Sequence, residues 1–375
     1  MKKGLLLLLL FVVCFQFASA ADGINSRGGQ QLTGVTTATI PLKVALKWTF
    51  KTAMEIKSSP VVKGNSIVIG STDEFVYCLD LNGKLRWKYK TDNSIEASAL
   101  ILGTTVYIGN LSGTFYAINL SSGKLLWKLS ADNQIMGGAN WWTDGKKTCI
   151  LVGSYDYYLR CIDAATGKVL WKYEASNYLN ATVAIEKNRA VFGGCDGFLH
   201  VVDITTGKRV ASIEVATYVA GSVALENGRA YLGDYDGKVT CMDYIKKSVL
   251  WRFKNADKEI PIIASPSIVG NRLMIGSRDR FFYCFDKING KILWKKNTGN
   301  PVDASPIADS RNVLVSNMRG DMMLLNQIDG SVIWTYELGS PIIGSPGVSA
   351  KDIVVGAQDG TIYCLGTPTL KMTKK

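Results

Sequence analysis

Thr166-Gly167-Lys168-Val169-Leu170-Trp171 is a tight turn running into a strand that ends on an indole, and its recurrence decides the fold. Trp48, Trp87, Trp127, Trp171, Trp251, Trp294 and Trp334 stand about 40 residues apart, with one double gap where Ala211 takes the missing position. Other columns keep the same phase. A pair of small residues follows each Trp position, as in Ser58-Ser59, Ala97-Ser98, Gly221-Ser222 and Gly344-Ser345. A β-rich run then ends on Gly, as in Ile67-Val68-Ile69-Gly70, and a turn usually carrying Asp comes next (Asp73, Asp156, Asp196, Asp236, Asp279, Asp359). A second run such as Phe75-Val76-Tyr77-Cys78-Leu79 returns to the next Gly-Lys turn.

Each unit therefore holds four short runs rich in Val, Ile, Tyr and Trp, separated by Gly, Asn and Asp, which predicts four antiparallel strands. No sustained 3.6-residue period occurs after the N-terminus, so helix should be scarce. Eight such units predict an all-β, eight-bladed β-propeller of four-stranded antiparallel blades. The small column fits inner strands that converge on a channel, where large side chains would collide. The Trp column fits outer strands that diverge, leaving a gap for a flat ring. Ala211 should leave one gap underfilled. The last unit ends at Gly366-Thr367-Pro368 with three strands, so the strand around Trp48 is expected to complete it and close the ring.

The termini read differently. Lys2 and Lys3, an apolar run from Leu5 to Phe17, and Ala18-Ser19-Ala20 have the order of a secretory signal peptide. The domain reading is a signal at 1–20, a lead-in at 21–40, the propeller at 41–368 and a basic tail at 369–375. A lipidated Cys14 is the alternative anchor, although Val12 and Val13 before it are not the small residues such a signal uses. The net charge of +12 is spread over the chain rather than gathered in a stripe, which argues against nucleic acid as a partner.

Tyr116-Ala117-Ile118-Asn119 with Ser122-Gly123-Lys124-Leu125-Leu126-Trp127, and Cys161-Ile162-Asp163 with Thr166-Gly167-Lys168, resemble the quinoprotein-type propeller repeat. The resemblance spans residues 40 to 366. It implies the propeller fold strongly and function weakly, because that family holds pyrroloquinoline quinone dehydrogenases, an outer-membrane assembly scaffold lipoprotein and many exported proteins. A dehydrogenase of this type would imply the quinone with calcium, held here by Asp303, Glu96 and Asn180 at the channel mouth. The vicinal cysteine pair of the alcohol-oxidising members has no counterpart, and Cys-x-x-Cys-His does not occur.

The remaining reactive residues fall into structural columns. His200, the one histidine, stands where other units have Tyr77, Tyr116, Tyr283 and Tyr363. Cys78, Cys161, Cys241, Cys284 and Cys364 share one column, and adjacent blades lie about 10 Å apart, too far for a disulfide. Cys149 and Cys161, on two arms of one hairpin, could lie opposite each other, and Cys195 falls in a turn.

Three regions are left as candidate sites. Lys57, Glu96, Asn180 and Asp303 should ring the channel mouth as a ligand funnel. The tandem Trp141 and Trp142, and the longer loop carrying Asp257, Lys258 and Glu259, are candidate partner contacts. The sequence thus reads as an exported, monomeric, non-enzymatic propeller without a cofactor, secreted or periplasmic, binding protein or small ligands.

Overall fold

A computed structural model describes residues 23–254, 259–349 and 351–368. The signal segment, Cys14, Asp257, Lys258 and the basic tail lie outside these. Eight antiparallel sheets form the ring, and no helix occurs among the described residues. Blades 1 to 7 cover residues 61–90, 100–130, 140–174, 184–214, 224–254, 267–297 and 307–337. Blade 8 takes three strands from 347–366 and its outermost strand, Ala45–Lys51, from the start of the fold. Trp48 pairs with Cys364 there, so the N-terminal strand closes the ring as the repeat phase predicts.

Every outer hairpin carries a bulge one residue before the Trp column, as at Leu126, which is skipped between Leu125 and Trp127. A bulge re-aims the residue after it. All seven indoles consequently donate Nε1 to a carbonyl across the interface, six of them to the next blade, at 2.8 Å to Leu120 for Trp87 and to Ile204 for Trp171, and Trp334 to Pro41 just before the closing strand. Six of the rings lie flat on the glycine of that blade's Gly-Lys turn. A Cβ on Gly207 would sit 2.7 Å from the Trp171 ring.

At Ala211 the interface is built differently. The turn it faces has Lys247 (φ 60°) where the others have glycine, and Tyr244 fills the interface while its hydroxyl donates to Glu186. A cavity of about 520 Å³ remains beside it, walled by Val201, Val210, Tyr244 and Ile245.

The lead-in does more than approach the ring. Gly23–Asn25 adds a fifth strand to blade 2, pairing Gly23 with Leu102. The chain then crosses the channel. Carbonyls of Gln30, Gln31, Thr33 and Gly34 accept the amides of Ile185, Leu225, Ile268 and Ala308, on the inner strands of blades 4, 5, 6 and 7. These strands would otherwise present unpaired donors to the channel. The repeat pattern could not reveal this, since the segment has no counterpart in it.

Candidate functional site

The crossing segment turns the channel into a blind funnel of about 270 Å³, with Ser26 and Arg27 at its floor. A separate cavity lies behind it, lined by Gly28, Gly29 and the inner strands of blades 1, 7 and 8. The small column forms the funnel wall, and its sequence has two physical causes. One is the steric cause: a Cβ on Gly344 would lie 2.5 Å from the Ser58 carbonyl of the next blade. The other is hydrogen bonding. Ser59, Ser98, Ser222, Ser265 and Ser305 each accept, at Oγ, a backbone N–H from the preceding blade at 2.8–3.1 Å. These hydroxyls stitch neighbouring blades together around the axis.

Lys57, Asn180 and Asp303 line the funnel. Glu96 is held to it by Lys57, at 2.7 Å, and that bond raises the Lys57 ammonium pKa against the effect of burial. Asp303 is gripped by two nitrogens of Arg278 at 2.8 and 2.9 Å. Asn180 accepts from the Tyr155 hydroxyl at 2.8 Å. The two mouth carboxylates are thus each neutralised by a cation of the chain. No cluster of three or more His, Cys, Asp or Glu occurs among the described residues. A calcium ion needs several open oxygens, so this donor set does not fit a calcium–quinone pair.

Arg27 is 4% exposed. Its terminal nitrogens donate to the carbonyls of Pro306 and Pro266, both at 2.7 Å, which anchors the crossing segment to blades 6 and 7. Its Nε has no hydrogen-bond partner among the described residues, and burial alone pushes the guanidinium down to about 9.

The turn aspartates organise the mouth rim. Asp73, Asp156 and Asp196 accept a backbone N–H of the loop entering their own blade, from Ala53, Asp132 and Ser176 at 3.0–3.1 Å. A residue four positions on holds each aspartate: Tyr77 for Asp73 at 2.7 Å, Arg160 for Asp156, and His200 for Asp196 at 2.9 Å. His200 also bonds Tyr173, which is the structural place its column implies. Burial raises the Asp156 carboxyl, but Arg160 and Ser154 outweigh this and hold it at about 2.

The rim also carries an aromatic arc that the columns did not single out. Tyr157, Tyr178, Tyr218 and Tyr235 are exposed, Tyr218 by 52%, on the entry loops and turns of blades 3 to 5. Tyr155 stacks on Tyr178 at 4.5 Å, and Tyr218 meets Tyr235 edge-on at 6.0 Å. The signal was present in the sequence as tyrosine at turn positions 155, 157 and 235 and loop positions 178 and 218.

Of the proposed contact residues of blade 3, Trp141 is corrected by its burial, while Trp142 is half-buried. Trp141 is 7% exposed and packs between blades 2 and 3 against Gly23, because strand alternation turns it inward. Trp142 packs on the cluster between blades 3 and 4 and donates to the Lys187 carbonyl at 2.9 Å. Glu259 pairs with Lys254 at 3.0 Å, both exposed. Cys149 faces Asp163, while Cys161 faces Leu151, so the two cysteines are offset by one pleat and both are free thiols. Cys195 is a half-buried thiol raised by burial and then by Asp196. No described helix is long and apolar enough to cross a membrane.

Comparison with known proteins supports this architecture. The family described as outer membrane protein assembly factor BamB matches over residues 44–143, 99–218, 155–284 and 278–370. Among solved structures, BamB from Moraxella catarrhalis is 15% identical, with a TM-score of 0.73 over 87% of this chain and 100% of that one. The computationally designed Ika8 protein is 17% identical, with a TM-score of 0.74 over 84% and 98%. A europium-containing methanol dehydrogenase is 13% identical, with a TM-score of 0.73 over 92% and 98%. At these identities the structural likeness is one of fold. No curated protein matches the sequence.

Proposed function

The chain belongs to the family of the outer membrane protein assembly factor BamB, and from that premise we propose a non-enzymatic, exported scaffold that binds a protein partner in the cell envelope. The observation that carries this reading is the tyrosine arc. Exposed tyrosine is a poor use of a purely solvated surface and a good contact residue, since it brings large area with few rotatable bonds and a polar tip. Tyr178, Tyr218 and Tyr235 lie on neighbouring blades beside a polar funnel, an arrangement suited to an extended segment laid across the mouth. The turn aspartates of blades 1, 3 and 4 are each tied to an entry loop and to a strand, which lowers the ordering entropy that opposes binding there.

The proposal assigns no cofactor to the mouth, on the support that Glu96 and Asp303 are engaged by Lys57 and Arg278. The test is a photo-reactive residue placed at Tyr178 or Tyr218 in the intact cell. A discrete adduct with one envelope protein, lost in the Tyr178→Ser/Tyr218→Ser/Tyr235→Ser variant tested from a second rim position, supports the proposal. Adducts unaffected by those three changes oppose it. Added calcium and pyrroloquinoline quinone should produce no absorbance change and no dye reduction, and turnover in that assay would replace this reading with an oxidoreductase.

A further inference from the structure

We propose that the floor of the funnel is an anion site that takes a single carboxylate. Three independent observations converge on it. Arg27 is a buried cation with no carboxylate beside it; only burial acts on its charge, and its Nε lacks a partner among the described residues. A buried guanidinium bonded only to carbonyls carries an uncompensated charge, which a bound anion would neutralise.

The wall above it is rich in donors. Ser59, Ser98, Ser222, Ser265 and Ser305 line the funnel, and each spends its oxygen as an acceptor for a neighbouring N–H. A hydroxyl engaged in this way keeps its own proton to donate. Five such protons surround the axis, and none is spent on a hydrogen bond among the described residues.

The other charges of the funnel cancel in pairs, Lys57 with Glu96 and Arg278 with Asp303. One positive charge remains, that of Arg27, which matches a monoanion; a phosphate dianion would overcompensate it. Guanidinium and hydroxyl donors suit a planar carboxylate. The volume of about 270 Å³ admits one carboxylate with a short stem rather than a large cofactor. The carboxylate could belong to a small organic acid or to the end of a peptide chain, and the two sources are separable.

Calorimetric titration of the mature protein at low salt uses three probes: propionate, a hexapeptide with a free terminal carboxylate, and the same hexapeptide amidated. Saturable binding of a free-carboxylate probe is expected, with the amidated peptide weaker by about tenfold, the usual scale for losing a charged hydrogen bond. Binding of the peptide alone assigns the carboxylate to a chain end, and equal binding of propionate assigns it to a small monocarboxylic acid. Arg27→Gln should weaken binding by about tenfold. Because Arg27 also anchors the crossing segment, Glu96→Gln serves as a second variant at the rim. It leaves Lys57 uncompensated and should tighten binding about threefold, on the scale of a rim charge. The site is overturned if neither carboxylate probe saturates, if the amide binds equally well, or if Glu96→Gln leaves affinity unchanged or lower.

Discussion

An indole at the Trp column closes a blade interface twice, by lying on a glycine and by donating Nε1 to a carbonyl of the next blade. The two requirements are coupled: Ala211 is accompanied by Lys247 in place of glycine, whose Cβ would stand where other interfaces keep the ring within 2.5–2.8 Å. Ala211→Trp alone should therefore fail to raise Tm, because the ring meets Lys247. Ala211→Trp with Lys247→Gly should fill part of the neighbouring cavity and raise stability by about 1–2 kcal/mol, read by thermal unfolding. Asp156 illustrates the opposite case of a residue already satisfied. Its carboxyl is held near 2, below the usual carboxylate value. A depressed pKa gives stability that is present above the unfolded value and lost as pH falls from about 4 towards 2. Asp156→Asn leaves Arg160 buried without its partner and should cost about 3–5 kcal/mol at neutral pH. The same variant should unfold less steeply between pH 4 and 2, as followed by circular dichroism.

Strands and turns were largely legible because each has a repeated cause. The Trp, small-residue and aspartate columns specify outer strand, inner strand and mouth turn, and the closure through Trp48 follows from counting strands. What escaped was whatever occurs once. The lead-in has no repeat to be compared with, so its passage through the channel and the role of Arg27 could not be read from phase. The hydroxyls of the small column were legible as small but not as acceptors, since that depends on the approach of a neighbouring blade. Trp141 misled for the reverse reason. A tandem pair outside the column suggested surface contact, while alternation buries one ring and the added strand at Gly23 covers it. The lead-in's role is testable by hydrogen exchange. A chain beginning at residue 37 should expose the amides of Ile185, Leu225, Ile268 and Ala308, which should exchange faster by about tenfold or more, whereas outer-strand amides near Trp127 should not change. Unchanged protection at the four inner positions would mean the crossing segment does not cap those strands.

At the scale of the whole molecule, the ring has two unlike faces. One carries the rigid aspartate turns, the tyrosine arc and a funnel sealed from behind. The other carries the Gly-Lys turns, which the indoles of the neighbouring blades cover. The crossing segment closes the funnel from behind, so its polar lining is presented at the mouth, where the proposed contact lies. The chemistry displayed there includes exposed tyrosine contact area and hydrogen-bonding groups, with the one histidine and the mouth carboxylates engaged within the protein and Cys195 a half-buried thiol. The central claim is therefore that partners meet this protein at the mouth. The most direct measurement is photo-crosslinking in intact cells from Tyr218 on the mouth face and from Ile328, a still more exposed residue in a turn of the opposite face. The account predicts a discrete envelope-protein adduct from Tyr218, abolished when Tyr178 and Tyr235 are changed to Ser, and none from Ile328. An adduct from Ile328 alone, or one from Tyr218 that survives both changes, would contradict it.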